Sequence, residues 1–97
     1  MPVGFEWDQE KAAANHAKHK VSFNDAISIF DDPLSSTIDD PDHSHDEPRY
    51  MTIGRTRDGR IVVVYHCDRA DAIRIISSRE ATQRERSAYE SGYPRAT

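Results

Sequence analysis

The 97-residue chain has one cysteine and four scattered glycines, and its apolar residues form no long uninterrupted run. A single cysteine excludes an internal disulfide, and no CxxC pair, nucleophile elbow or glycine-rich phosphate loop is present to suggest thiol redox, acyl transfer or nucleotide binding. No N-terminal apolar stretch reads as a signal peptide or a membrane span, so the expected compartment is the cytoplasm. Cys67 lies in a strand-like alternation and reads as a small apolar filler rather than a nucleophile. Arginine is missing from the whole first half. Residues 1–48 carry three lysines against eleven acids, whereas residues 49–97 carry ten arginines against six acids, within a net charge of −4. A basic face on the second half could bind anions despite the acidic total, with salt-sensitive affinity.

At 36% hydrophobic residues the chain is poor in apolar side chains, but these cluster periodically, which marks one folded domain, 1–97, with a thin core. Val3–Trp7 alternates weakly and reads as a short edge strand. Asp8 can cap a helix reaching about Lys20, with Trp7, Lys11, Ala14, Asn15 and Lys18 along one face, a mixed stripe expected at a site rim. Ser22 and Asp25 mark a second helix start, and Phe23, Ala26, Ile27 and Phe30 give it a buried stripe ending at Asp31-Asp32-Pro33. Strands follow at Leu34–Ile38, Arg49–Arg55, Arg60–Cys67 and Ala72–Ser77. The third of these is apolar on both faces and should be central. Asp58-Gly59 supplies a tight hairpin turn. A last helix is expected from about Ser78 to Glu90, leaving residues 92–97 as a flexible tail. The fold class is α+β: two helices, an antiparallel sheet of about four strands, and a C-terminal helix.

Arg74 and Arg79 flank the predicted corner between the last strand and the last helix. Guanidinium is permanently charged and planar, matching two phosphate oxygens at once, so two of them near one strand end suggest an oxyanion or phosphate site. Ser77 and Glu80 have capping-box spacing, which would aim helix N–H groups the same way. The acidic stretch 39–46, with His43 and His45, resembles a metal cluster at first sight. Its spacing matches none of the specific zinc patterns, and it is read as an exposed loop with no metal and no cofactor.

Three ordered blocks carry a family resemblance. The first is Phe5-Glu6-Trp7-Asp8, Lys11, Asn15, Lys18-His19 and Val21-Ser22-Phe23. The second is Glu47, Arg49, Tyr50, Gly54 and Gly59-Arg60, and the third is Arg74-Ile75-Ile76-Ser77, Arg79, Ala81, Thr82, Glu85-Arg86 and Tyr89. From Phe5 to about Tyr89 the chain resembles the BrnT family, toxin components of bacterial type II toxin–antitoxin pairs. Ser78, where alanine is commoner, and the variable Cys67-Asp68 depart from the pattern without disturbing the blocks. The resemblance implies a small endoribonuclease of RelE-like fold. It also implies a cognate DNA-binding antitoxin of ribbon-helix-helix type, assembled as a heterotetramer that touches operator DNA only through the antitoxin.

Cleaving RNA without metal requires a base for the ribose 2′-OH, charge stabilisation at the phosphorane and a proton for the leaving 5′-oxygen. Arg74 and Arg79 are the candidates for charge stabilisation, with Arg49 third. His19 is the candidate acid or base, with Lys18 beside it, because imidazole is the side chain suited to proton transfer near neutrality. A helix-terminal histidine bonded to backbone carbonyls is the other reading of His19. Glu47 and Tyr50 flank Arg49, though alternation sets Tyr50 on the opposite sheet face, and Tyr89 could stack on a base or pack on the sheet. The same arginines would also suit a noncatalytic module that binds protein or RNA.

Overall fold

The computed structural model describes residues 4–44 and 46–92. Its elements run β1 (Gly4–Glu6), α1 (Gln9–His19), α2 (Phe23–Ala26), a 3₁₀ turn (Ile27–Asp31), β2 (Ser36–Asp39), a second 3₁₀ turn (Pro41–His43), β3 (Tyr50–Arg55), β4 (Ile61–Arg69), β5 (Ala72–Glu80) and α3 (Gln83–Glu90). Five strands form one sheet in the order β1-β5-β4-β3-β2. The pairs β2–β3, β3–β4 and β4–β5 are antiparallel, but β1 lies parallel to β5, so the sheet is mixed and has one strand more than the four-strand expectation. A parallel partner needs a long crossover, here α1 through β4, and leaves no local mark in sequence.

Local capping places the helices. Asp8 Oδ1 accepts the N–H groups of Glu10 and Lys11, and Lys20 closes α1 in the left-handed conformation at φ 63°. Ser22 Oγ accepts Asp25 N–H at 3.0 Å and starts α2. The hairpin between β3 and β4 departs from expectation in one respect. Gly59 is left-handed (φ 92°) while Asp58 is not, and Thr56 and Arg60 pair across the turn. This is a turn followed by a single glycine in the left-handed region, rather than a two-residue loop.

β4 is the centre of the sheet: Ile61 to Val64 are at most 3% exposed. Val62, Val64 and Ile75 meet Val21, Phe23, Ala26 and Ile29 in the main core, with Trp7 set edge-on to Phe23. Trp7 therefore belongs to packing and not to a site rim. Asn15, also placed on that rim by its helical face, is buried instead. Its Nδ2 donates to Ser78 O (2.9 Å), Ser78 Oγ (3.0 Å) and Val21 O (3.3 Å), and its Oδ1 accepts Ser78 N–H (3.2 Å). β1 pairs only with residues 72–74 of β5, so the amide of Asn15 serves as a strand partner farther along. Gly54 is demanded by closeness: a Cβ there would lie 2.9 Å from that of Ile29.

His66 sits in the same layer, 5% exposed, between the rings of Phe30 and Tyr50, with Nε2 2.8 Å from Thr52 Oγ1. Burial pushes its pKa below the ordinary value of 6.5. The unfolded chain then binds the proton first, so this site's contribution is complete above about pH 6.5 and is lost as pH falls through the folded-state value. Thermal melts should show the midpoint declining from pH 7 toward 5 in the native protein, and declining less in His66→Gln. Equal slopes would show that His66 carries no such linkage.

Candidate active site

Arg79 lies five positions after Arg74, an odd offset that in a regular strand would send them to opposite faces of the sheet. A bulge prevents this. Tyr65 pairs with Ser77 and His66 with Ile75, leaving Ile76 as the extra residue. Arg74, opposite Cys67, and Arg79, opposite Val63, therefore share the face that carries Val63, Tyr65 and Cys67, away from α1. They do not converge, because the intervening strand sets their Cα atoms roughly 15 Å apart.

Each is already engaged. Arg74 Nη1 meets Glu6 Oε2 at 3.0 Å. Arg79 meets Glu85 as a fork, with Nη1 to Oε1 at 2.8 Å and Nη2 to Oε2 at 3.0 Å, and Nη2 also bonds Tyr65 Oη at 3.0 Å. That pair holds the Glu85 carboxyl down at about 2 and raises the Arg79 pKa further. Sequence spacing put the capping box at Ser77–Glu80, whereas β5 continues through Glu80 and the box forms at Thr82–Glu85. Glu85 Oε1 accepts Thr82 N–H at 2.9 Å while the same carboxylate grips Arg79. One side chain thus fixes both the start of α3 and the orientation of the arginine.

Arg49 is different. It precedes β3 on the same face, its Nε is buried, and among the described residues that atom has no hydrogen-bond partner. It borders a cavity of about 280 Å³ with Asp40, His43, Tyr65, Ile76 and Ser77. It also borders one of about 200 Å³ whose lining includes Lys11, Glu47, Cys67, Arg69 and Arg74. In the second, Glu47 is taken by Arg69 (Oε2 to Nη2, 3.0 Å), which holds its carboxyl below the usual range with help from Cys67 and Arg49. Cys67 is buried, and burial pushes its thiol up, toward the inert protonated form. Arg69 and Arg74 in the second cavity already hold carboxylates, Asp8 and Asp40 add acid to the two linings, and Arg49 borders both.

Of the remaining expected site residues, Tyr50 borders a third cavity, about 470 Å³, together with Glu47 and Arg49, while His19, Lys18 and Tyr89 line none of these cavities. His19 ends α1 half-buried and Lys18 is exposed beside it, about 12 Å along the helix from Lys11, the α1 residue that borders the cleft. No described contact links either to the arginines. Tyr50 stacks toward His66 on the helix-covered face. Tyr89 is 7% exposed, donates to Asp32 and lies under the Arg55 guanidinium, 5.7 Å from ring centroid to Cζ. Sequence reading missed Tyr65, His43 and Asp40. Tyr65 shares strand parity with the arginine face and was legible in principle, but the 39–46 stretch has no period to place His43. His45 and the tail residues 93–97 lie outside the described residues. Among the described residues no group of three or more His, Cys, Asp and Glu stands close enough to hold a metal, and no helix is long and apolar enough to cross a membrane.

Fold and cleft together define a small α+β protein with arginine-bearing cavities around Arg49. The chain belongs to the BrnT family, described as the ribonuclease toxin of a type II toxin–antitoxin system, whose model matches residues 7–85. It is also similar to the Brucella abortus ribonuclease toxin BrnT, known from a 1.1 Å crystal structure, with 27% identity and a TM-score of 0.62 over 84% of this chain and 100% of that one. A comparison with curated proteins gives no match.

Proposed function

We propose that this chain is a metal-independent endoribonuclease of RelE-like type, and that Arg49 binds the scissile phosphate. The observation that carries this reading is that the Arg49 guanidinium, bordering two cavities, has no ion pair among the described residues, whereas Arg69 and Arg74 beside it hold Glu47 and Glu6. A guanidinium with no carboxylate partner keeps its charge for an incoming phosphate oxygen, which in the phosphorane carries more charge than in the substrate. Attack by the 2′-oxygen in line with the leaving 5′-oxygen gives a 2′,3′-cyclic phosphate and a 5′-hydroxyl. Arg74 supplies potential from the neighbouring cavity. Arg79 acts as a positioning residue that holds the Tyr65 ring at the cleft wall.

Regulation follows from the same charge pattern. A cognate antitoxin, of the ribbon-helix-helix type and in a 2:2 assembly, would place a carboxylate against Arg49 and block the phosphate site. Expression of the chain alone should arrest bacterial growth in a manner that coexpression of the adjacent gene reverses. Normal growth with abundant folded protein would remove the toxin reading and favour a noncatalytic binding module.

Replacing Arg79 by alanine should affect stability and activity together. The fork to Glu85 and the bond to Tyr65 are about three-quarters shielded from solvent, so their loss should cost about 1–2 kcal/mol. It should also release Tyr65 and slow cleavage. Lysine should restore only part of each, because it lacks the planar fork. Melts and single-turnover cleavage of the two variants check this, and normal Tyr65-dependent cleavage in Arg79→Ala would remove the positioning role.

A further inference from the structure

We infer that His43, oriented by Asp40, is the acid–base group of the cleft, an inference that rests on the ribonuclease reading above. His43 Nδ1 lies 2.8 Å from Asp40 Oδ2. Asp40 is held in place, its side chain only 11% exposed, while that of His43 is 63% exposed. The imidazole edge meets the Tyr65 ring with centroids 6.2 Å apart, and both residues line the 280 Å³ cavity with Arg49.

The turn that carries this pair is tied to Arg49 from both ends. Asp40 N–H donates to Arg49 O at 2.9 Å, and Arg49 N–H donates to Ser44 Oγ at 2.8 Å. Ser44 Oγ in turn donates to Asp40 O at 2.7 Å. These three bonds tie the backbone of the turn to that of Arg49, and with the Asp40 carboxylate on Nδ1 they restrain the ring, the preorganisation that proton transfer beside a bound phosphate requires. A carboxylate on Nδ1 fixes the tautomer, leaves Nε2 for the substrate and stabilises the imidazolium once formed. Among the described residues, the charged and titratable groups that share the cavity with the ring are Asp40 from its own turn, Arg49 from the lead-in to β3 and Tyr65 from β4.

In the reaction, Nε2 takes the proton of the 2′-hydroxyl as the bond from the 2′-oxygen to phosphorus forms. The bond from phosphorus to the 5′-oxygen breaks, the 5′-oxygen takes a proton from water, and the imidazolium returns its proton to solvent. No oxidant, reductant or further reactant is needed.

The test is single-turnover cleavage of one RNA across pH by the native protein, His43→Gln, His43→Ala and Asp40→Asn, with RNA affinity and thermal melts measured alongside. His43→Gln should cleave about 10²- to 10³-fold more slowly with affinity within a few-fold of native, and should lose the limb on which rate rises with pH. Asp40→Asn should slow cleavage at least tenfold with RNA affinity within a few-fold of native. Added imidazole should partly restore His43→Ala. Native-like rate and profile in His43→Gln, while the native protein cleaves, would overturn the assignment of His43 and leave the ribonuclease reading standing. A native protein that cleaves no RNA would overturn both.

Discussion

Arg49→Ala should lose about 10²- to 10³-fold in single-turnover RNA cleavage while melting within a few degrees of the native protein. The asymmetry follows from what the guanidinium touches. Its main-chain N–H and C=O tie the 40–44 turn in place and survive the substitution, whereas the side chain offers no described ion pair to lose. Arg49→Lys should recover charge without the two-point fork and regain only part of the rate. Arg74→Ala, which breaks the pair to Glu6, should fall between the native protein and Arg49→Ala in rate. If Arg49→Ala cleaves normally while Arg74→Ala does not, the phosphate sits in the smaller cavity and the site is centred on the wrong arginine.

Asn15→Ala should produce the largest loss of stability of any single polar substitution on α1. The side-chain amide satisfies both the N–H and the C=O of Ser78 and also the carbonyl of Val21, all buried. Its removal leaves an N–H of β5 facing a void that water does not readily fill. A cost of about 2–4 kcal/mol follows from the lost bonds and the cavity, which for a domain of this size lowers the melting temperature on the order of 10–20 °C. Asn15→Asp should be no better, because it keeps the acceptor but points a carboxylate at two carbonyls. A shift of only a few degrees in Asn15→Ala would mean that the helix and strand find another way to pair.

The helices and central strands were legible from local rules. Asp8 and Ser22 cap where their side chains dictate, and the apolar run Ile61–Val64 marks the middle of the sheet because only a strand covered on both faces tolerates it. The corner carrying Arg79 was not legible, since Ser77 to Glu80 and Thr82 to Glu85 have the same capping-box spacing. Pairing with β4, which extends to Val62 and Glu80, decided between them, and pairing is a property of two distant segments. The Ile76 bulge was hidden for the same reason, and it alone sets Arg74 and Arg79 on one face. The choice among arginines depended on carboxylates distant in sequence: Glu6 lies 68 residues from Arg74 and Glu47 22 residues from Arg69. His43 was hidden in a stretch that has no hydrophobic period and whose position comes from bonds to the backbone of Arg49.

The most direct measurement is incubation of purified native protein and Arg49→Ala with RNA in excess chelator, followed by chemical analysis of the ends produced. Cleavage by the native protein to 2′,3′-cyclic phosphate and 5′-hydroxyl ends, at a rate reduced at least a hundredfold in Arg49→Ala, is the expected result. Cleavage that starts only when a divalent ion is restored, or that leaves 5′-phosphate ends, would contradict it.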